Sequence, residues 1–235
     1  MNETIFKIKN MTVWYSKDKN VLSDFSIELR KNEVIGLIGL NGAGKTTFIK
    51  TVSGLINTYK CDGIWMHEQS TAFRNNDFKL LRYTVFAEDN SFQYFTFREY
   101  LSYVLKAYRK KETDISNLIK GFNFDKYTDV LLKDLSTGNR KKAYLITAFA
   151  LKPELLILDE PVNGLDFEST EYLYELLASY KEYGTVLFSS HILESITLTC
   201  DKVFMLEEGK INLSLEHEDI DAEKIREALK YDHDV

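Results

Sequence analysis

The sequence predicts an α/β fold in which helices alternate with the strands of a largely parallel sheet and a glycine loop sits at the end of one strand. Three observations carry this. Residues 34–38, Val-Ile-Gly-Leu-Ile, form an apolar run short enough for a buried strand, a glycine-rich stretch follows, and residues 47–52 read as the start of a helix. Residues 155–158 are wholly apolar and end in two adjacent carboxylates, Asp159 and Glu160; an all-apolar strand suits the centre of a parallel sheet covered on both faces. Beyond it come a helix over 168–181, a strand over 185–189, a helix over 192–199 and strands over 202–206 and 210–213, with a turn at Glu207-Glu208-Gly209. The 235 residues, 44% of them hydrophobic, suffice for one or two packed subdomains.

Taken from the start, residues 5–15 and 21–29 read as strands, the second alternating at Phe25, Ile27 and Leu29. The polar stretch Ser16-Lys17-Asp18-Lys19-Asn20 reads as the turn between them and leaves Tyr15 at a strand end. That ring either stacks on a base or packs on the core like any strand aromatic, and the residue alone does not choose. The glycine stretch is Gly39-Leu40-Asn41-Gly42-Ala43-Gly44-Lys45-Thr46, the spacing of a phosphate loop. Its glycines let backbone N–H groups turn inward around phosphate oxygens, and the helix N-terminus behind it adds positive potential. Lys45 then reaches the terminal phosphates and the Thr46 hydroxyl ligates Mg²⁺.

Ser53-Gly54-Leu55 closes that helix, and residues 58–85 offer only short apolar pieces that read as small strands. Residues 92–108 are strongly aromatic, and from Thr96 onward Phe97, Tyr100, Leu101 and Val104 have helical spacing. Thr96 and Glu99 form the pattern of a capping box at the start of that helix. A second helix is expected over 115–122. The aromatic stripe is either plain core or, in part, a partner surface. Leu135-Ser136-Thr137-Gly138-Asn139 precedes an apolar-periodic stretch at 143–151, which places Ser136 and Gly138 at a helix N-terminus. Such an end is an anion site in waiting, although Ser-x-Gly is also a common cap. Pro153 ends the helix, and the strand that follows presents Asp159 and Glu160 at its C-terminal end, where ligands bind in open α/β sheets. Asp159 is placed to hold Mg²⁺, and Glu160 to orient the attacking water. His191, just past the next strand, is either a satisfied or solvated side chain or a member of the site. The segment from residue 216 is charged and expected to be peripheral.

Charge and composition narrow the function. The net charge is −6, from 36 acids and 30 bases, and no long Lys/Arg run occurs, which argues against a nucleic-acid partner. Cys61 and Cys200 match neither a zinc nor a redox spacing. No run approaches about 18 consecutive apolar residues, and Met1-Asn2-Glu3-Thr4 lacks the features of a signal peptide, so a soluble, cytoplasmic protein is expected.

Together these residues resemble the ATP-binding subunits of ABC transporters, over residues 5–213. Tyr15 is similar to the A-loop aromatic, Gly39 to Thr46 to Walker A, Leu135 to Asn139 to the ABC signature, and Leu155 to Glu160 to Walker B; Asn163 to Asp166 resembles the D-loop and His191 the switch histidine. The resemblance implies a phosphate-loop NTPase core of the RecA type, an antiparallel β-subdomain, and an α-helical subdomain inserted at about 90–150, within an ABC ATPase domain of residues 1–215 followed by a charged tail, 216–235. It implies ATP and Mg²⁺ as ligands. Catalysis would fall to Lys45, Glu160 and His191, and the metal to Thr46, Asp159 and Glu88. ATP would be held by Tyr15, Gly39, Asn41, Gly42, Gly44, Lys45, Thr46, Thr47 and Glu88. Ser136, Gly138 and Asp166 would meet the ATP of a second subunit, identical or paralogous, facing head to tail.

Two departures stand out. The signature reads Leu-Ser-Thr-Gly-Asn where the family has Leu-Ser-Gly-Gly-Gln, keeping the serine and second glycine. The Q-loop position is best matched by Glu88, a carboxylate that only accepts hydrogen bonds where glutamine both donates and accepts. Residues 189–193, Ser-Ser-His-Ile-Leu, look more like exporter-type subunits that serve drug or peptide transporters than like importer subunits. With no membrane span in the sequence, a separate permease is expected to dock near the helical subdomain and hold the protein on the inner face of the membrane. A soluble ABC ATPase of DNA repair or translation is the rival, and would bring coiled-coil or zinc insertions or two fused cassettes. A phosphate-loop kinase leaves the signature and His191 unexplained.

Overall fold

A computed structural model describes residues 3–16 and 19–230; Met1, Asn2, the Lys17 and Asp18 of the expected turn, and residues 231–235 of the charged tail lie outside the described residues. The chain opens with a long antiparallel pair, β1 (Thr4–Ser16) and β2 (Lys19–Arg30), and then enters β3 (Val34–Ile38) and α1 (Lys45–Val52) through the glycine loop. Three short strands, β4 (Tyr59–Lys60), β5 (Gly63–Met66) and β6 (Gln69–Ser70), extend the first pair into a five-stranded sheet of order β2-β1-β5-β6, with β4 also on β1.

A short helix, α2 (Asn76–Leu81), then precedes β7 (Arg82–Val85), where small strands alone were expected. The Asn75 side chain starts it, accepting from the N–H of Asp77 at 2.8 Å and of Phe78 at 3.1 Å. Six residues are too few for a helical period to show, and only Phe78 of the six is buried, stacked on Phe6 with ring centroids 5.4 Å apart.

Between β7 and β8 (Leu155–Asp159), which are parallel neighbours, the chain runs through α3 (Phe97–Ala107), α4 (Ser116–Gly121) and α5 (Thr137–Leu151). The Thr96/Glu99 capping box is present in both directions. The stripe at helical spacing, Phe97, Tyr100, Leu101 and Val104, is core, whereas Tyr94 and Tyr103 stand at 76% and 50% exposure on the surface. α5 begins six residues before the apolar-periodic stretch, because Ser136 caps it by accepting from Asn139 N–H at 3.2 Å.

The remaining elements are α6 (Phe167–Ser179), β9 (Thr185–Ser190), α7 (Leu193–Thr199), β10 (Lys202–Glu207), β11 (Lys210–Glu216) and α8 (Ala222–Lys230). They complete a six-stranded sheet of order β11-β10-β3-β9-β8-β7, parallel except for the β10–β11 hairpin. Its central strands send alternate side chains into two cores. Leu156 and Leu158 of β8, with Val186 and Phe188 of β9, face α3, α5 and α6. Leu155, Ile157 and Leu187 face α1 and the antiparallel sheet. A strand buried on both faces has no polar side to show, which is why 155–158 read as an unbroken apolar run. The charged segment after residue 216 does more than skirt the surface: α8 puts Ile225 into the first core, fully buried.

Candidate functional site

The site is built where β3, β8 and β9 end together. β3 delivers the glycine loop, and Gly44 caps α1 at φ 113°, a left-handed conformation that calls for glycine. The first N–H groups of α1 have no helical carbonyl to pair with and point toward the loop. Lys45 is 7% exposed, and its ammonium donates to the carbonyls of Gly39 at 2.6 Å and Leu40 at 3.3 Å. Glu160 Oε1 lies 3.9 Å from it. Burial pushes the Lys45 pKa down, and Glu160 and Asp159 oppose that shift.

β8 ends in Asp159, which is 1% exposed. Its Oδ1 accepts from the Ser189 hydroxyl at 2.7 Å and from the Thr46 hydroxyl at 3.3 Å, while Oδ2 is buried without a hydrogen-bond partner among the described residues. Glu160 follows in the left-handed region, φ 48°, unusual for a residue with a side chain. Its N–H donates to Ser189 Oγ at 2.9 Å, its carbonyl accepts from the Lys141 ammonium at 3.1 Å, and its Oε2 is 2.8 Å from Nδ1 of His191. His191 therefore belongs to the cluster on β8 and β9, its exposed ring held against a carboxylate that is 12% exposed.

Asn41, Gly42, Gly44, Lys45, Thr46, Thr47, Glu160 and His191 line one cleft of about 400 Å³, joined by Leu40 and Asn163. Gly39 stands at its base as the acceptor for Lys45. The Tyr15 ring is 62% exposed, outside the core, with its hydroxyl 3.2 Å from Thr47 Oγ1. Glu88 lines not this cleft but a second cavity of about 220 Å³, with Thr137, Arg140, Lys141 and Tyr144. Ser136 and Gly138 do not line the cleft either. Gly138 sits so close to the Asn163–Asp166 turn that a Cβ there would meet the Gly164 carbonyl oxygen at 2.4 Å. Asp166 caps α6 through Ser169 N–H at 3.0 Å and pairs with Lys142 at 2.6 Å.

The ABC transporter family profile matches residues 22–163, a span that holds the loop, the signature and the two carboxylates. The chain belongs to the ABC transporter family, as an ATP-binding subunit. The putative ABC transporter ATP-binding protein AlbC of Bacillus subtilis is 37% identical over 218 residues, covering 88% of this chain and 90% of AlbC. The solved ATP-binding subunit of an ABC transporter superposes with a TM-score of 0.83 at 26% identity, over 96% of this chain and 93% of that one. The dimeric structure of MJ0796, a bacterial ABC transporter cassette, shares the fold at a TM-score of 0.80 and 17% identity, over 90% of this chain and 98% of the other. The cassette is thus an ATPase with the mixed α/β fold of its family, and among the described residues no helix is long and apolar enough to cross a membrane.

The residues present fit Mg²⁺. The unpaired Oδ2 of buried Asp159, beside the Thr46 hydroxyl, is the one-carboxylate donor set a magnesium ion uses when nucleotide phosphates supply other ligands. Among the described residues no cluster of three or more His, Cys, Asp or Glu could hold a metal by itself. Sequence reasoning passed over two members of the site, Lys141 and the Ser189 side chain. Neither carried a signal in the sequence, since burial at the start of a helix is set by the segments that pack over it.

Proposed function

We propose that this ATPase subunit works as one of a pair that closes around ATP and drives a separate membrane permease in the export direction. The observation that carries the pairing is the position of Ser136 and Gly138: the anion-binding start of α5 lies outside the cleft of its own subunit, which leaves it for the nucleotide of another. The dimeric form of a cassette with the same fold supports this arrangement.

In this reading the glycine loop and the start of α1 cradle the phosphates, Lys45 neutralises the terminal ones, Thr47 and Asn41 border them, and the Tyr15 ring carries the adenine. Thr46 and Asp159 hold Mg²⁺, which when bound offsets phosphate charge. Glu160 accepts the proton of the attacking water as its oxygen bonds to the γ-phosphorus and the bond to the β-phosphate oxygen breaks. His191 holds Glu160 and reaches the γ-phosphate. Asp166 faces the opposing site, and Glu88 answers to the permease. Loss of the shared phosphate then releases the pair, a shift between two arrangements.

Export rests on the likeness of residues 189–193 to exporter-type subunits, and docking on the exposed Tyr94 and Tyr103 of the helical insertion. The test is affinity purification of the tagged chain from gently solubilised membranes of its own host. A co-purifying protein with about six spans of ~20 residues is expected, along with ATP hydrolysis that changes when the two are reconstituted together. Recovery from the soluble fraction on ribosomes or DNA, with no membrane protein, would establish the rival soluble ATPase instead.

A further inference from the structure

The peptide unit around Glu160 is pinned from both sides. The left-handed conformation at a residue with a Cβ is costly and persists only where neighbours over-determine it. Here Ser189 of β9 takes the N–H, and Lys141 of α5 donates to the carbonyl at 3.1 Å. Lys141 is only 4% exposed, an unusual place for an ammonium, and a buried charge persists only where it is paired or hydrogen-bonded. Its charge lies within electrostatic reach of Asp159, Glu160 and Glu88. Burial lowers its pKa, and the same three acids oppose that shift.

We propose that Lys141 is a positioning residue for catalysis: its buried ammonium fixes the Glu160 backbone so that the carboxylate points at the attacking water. Lys141 lies five residues beyond the cap Ser136 and three beyond Gly138 on the same helix, so it also ties the segment meant for the second subunit's nucleotide to the backbone of Glu160. The proposal rests on the reading of Glu160 as the base.

The experiment compares Lys141→Met, Lys141→Arg, Glu160→Gln and the double variant Lys141→Met/Glu160→Gln by steady-state and single-turnover ATP hydrolysis, fluorescent-ATP binding and thermal melting. Lys141→Met is expected to lower kcat roughly 10- to 100-fold, the range for losing the support of a catalytic group, with KM and ATP affinity within about threefold of wild type. Lys141→Arg, which keeps the donor and the charge, recovers most of that turnover. The double variant is no slower than Glu160→Gln alone, because both changes act through one carboxylate. A Lys141→Met turnover within twofold of wild type, an equal loss in Lys141→Arg, or losses that multiply in the double variant would each overturn the positioning role while leaving Glu160 as the base. Wild-type turnover in Glu160→Gln instead removes the base itself. If Lys141→Met does not melt cooperatively, Lys141→Gln, an amide donor of shorter reach, carries the same comparisons.

Discussion

Lys142, the next residue after Lys141, shows how much one side chain can be asked to hold. It is 4% exposed, and its ammonium donates to the Phe122 carbonyl at 3.0 Å and to Asp166 Oδ2 at 2.6 Å. The hydrogen bond from Lys142 holds the Asp166 carboxyl down at about 2, against about 3.9 in an unfolded chain. The folded value being the lower one, this contribution is complete above about pH 4 and is lost as pH falls toward 2. Asp166 is 55% exposed, so solvent screens the pair and the contribution is about 1 kcal/mol. Asp166→Asn keeps a cap for α6 and removes only the charge. Thermal melts should show it less stable than wild type by a constant margin from pH 7 to 5, and by a shrinking margin below pH 4. A margin that persists unchanged to pH 2.5 would locate the effect in the cap rather than the ion pair.

At the scale of elements, α8 is the one whose role its composition conceals. Asp221 starts it by accepting from the N–H of Glu223 at 2.8 Å and of Lys224 at 3.1 Å, and Ile225 is its fully buried anchor. Ile225→Ala should cost about 2–3 kcal/mol, the lower part of the range for emptying a buried isoleucine, since a short helix can shift into the space. Urea unfolding followed by circular dichroism checks it: the midpoint should fall with an unchanged slope. A midpoint shift worth less than about 0.5 kcal/mol would mean that α8 contributes no anchoring. α2 was hidden because it buries a single large side chain and so carries no period to read, whereas α8 does place Ile225, Ala228 and Leu229 on one face but within a segment so rich in charge that it read as a peripheral tail. The elements legible in the sequence were those with repetition or required order: the two-faced strands β3, β8 and β9, the capped α3, and the strand, loop and helix around Lys45. Within the site, Lys45, Thr46, Asp159 and Glu160 were read from position along those elements, whereas position left His191 open and only the resemblance to the switch histidine pointed to it. Lys141 and Lys142 were not singled out, because burial at a helix start depends on what packs over it, here Phe122 and the β8 end, and that is set by chain segments distant in sequence.

The whole molecule is where the composite site succeeds or fails, because one subunit holds the cleft and the α5 start apart. If ATP joins two subunits and Glu160 then releases them, dimerisation and hydrolysis must be separable. Glu160→Gln keeps size and hydrogen bonding but removes the charge that takes the water's proton, so turnover should fall roughly 10²- to 10⁴-fold, the range for a positioned general base. ATP binding should remain, since Lys45, Thr46 and the loop are untouched. With the γ-phosphate persisting between the loop of one subunit and Ser136 of the other, the variant should accumulate as a dimer with ATP, seen by light scattering after gel filtration, while the wild type stays mostly monomeric. Ser136 is exposed, so adding Ser136→Arg puts a bulky side chain into the contact at the cost of one cap, worth about 1 kcal/mol. The trapped dimer should then vanish although ATP affinity of the monomer is retained. A dimer that survives Ser136→Arg would show that the pair, if it forms, closes on some surface other than the start of α5.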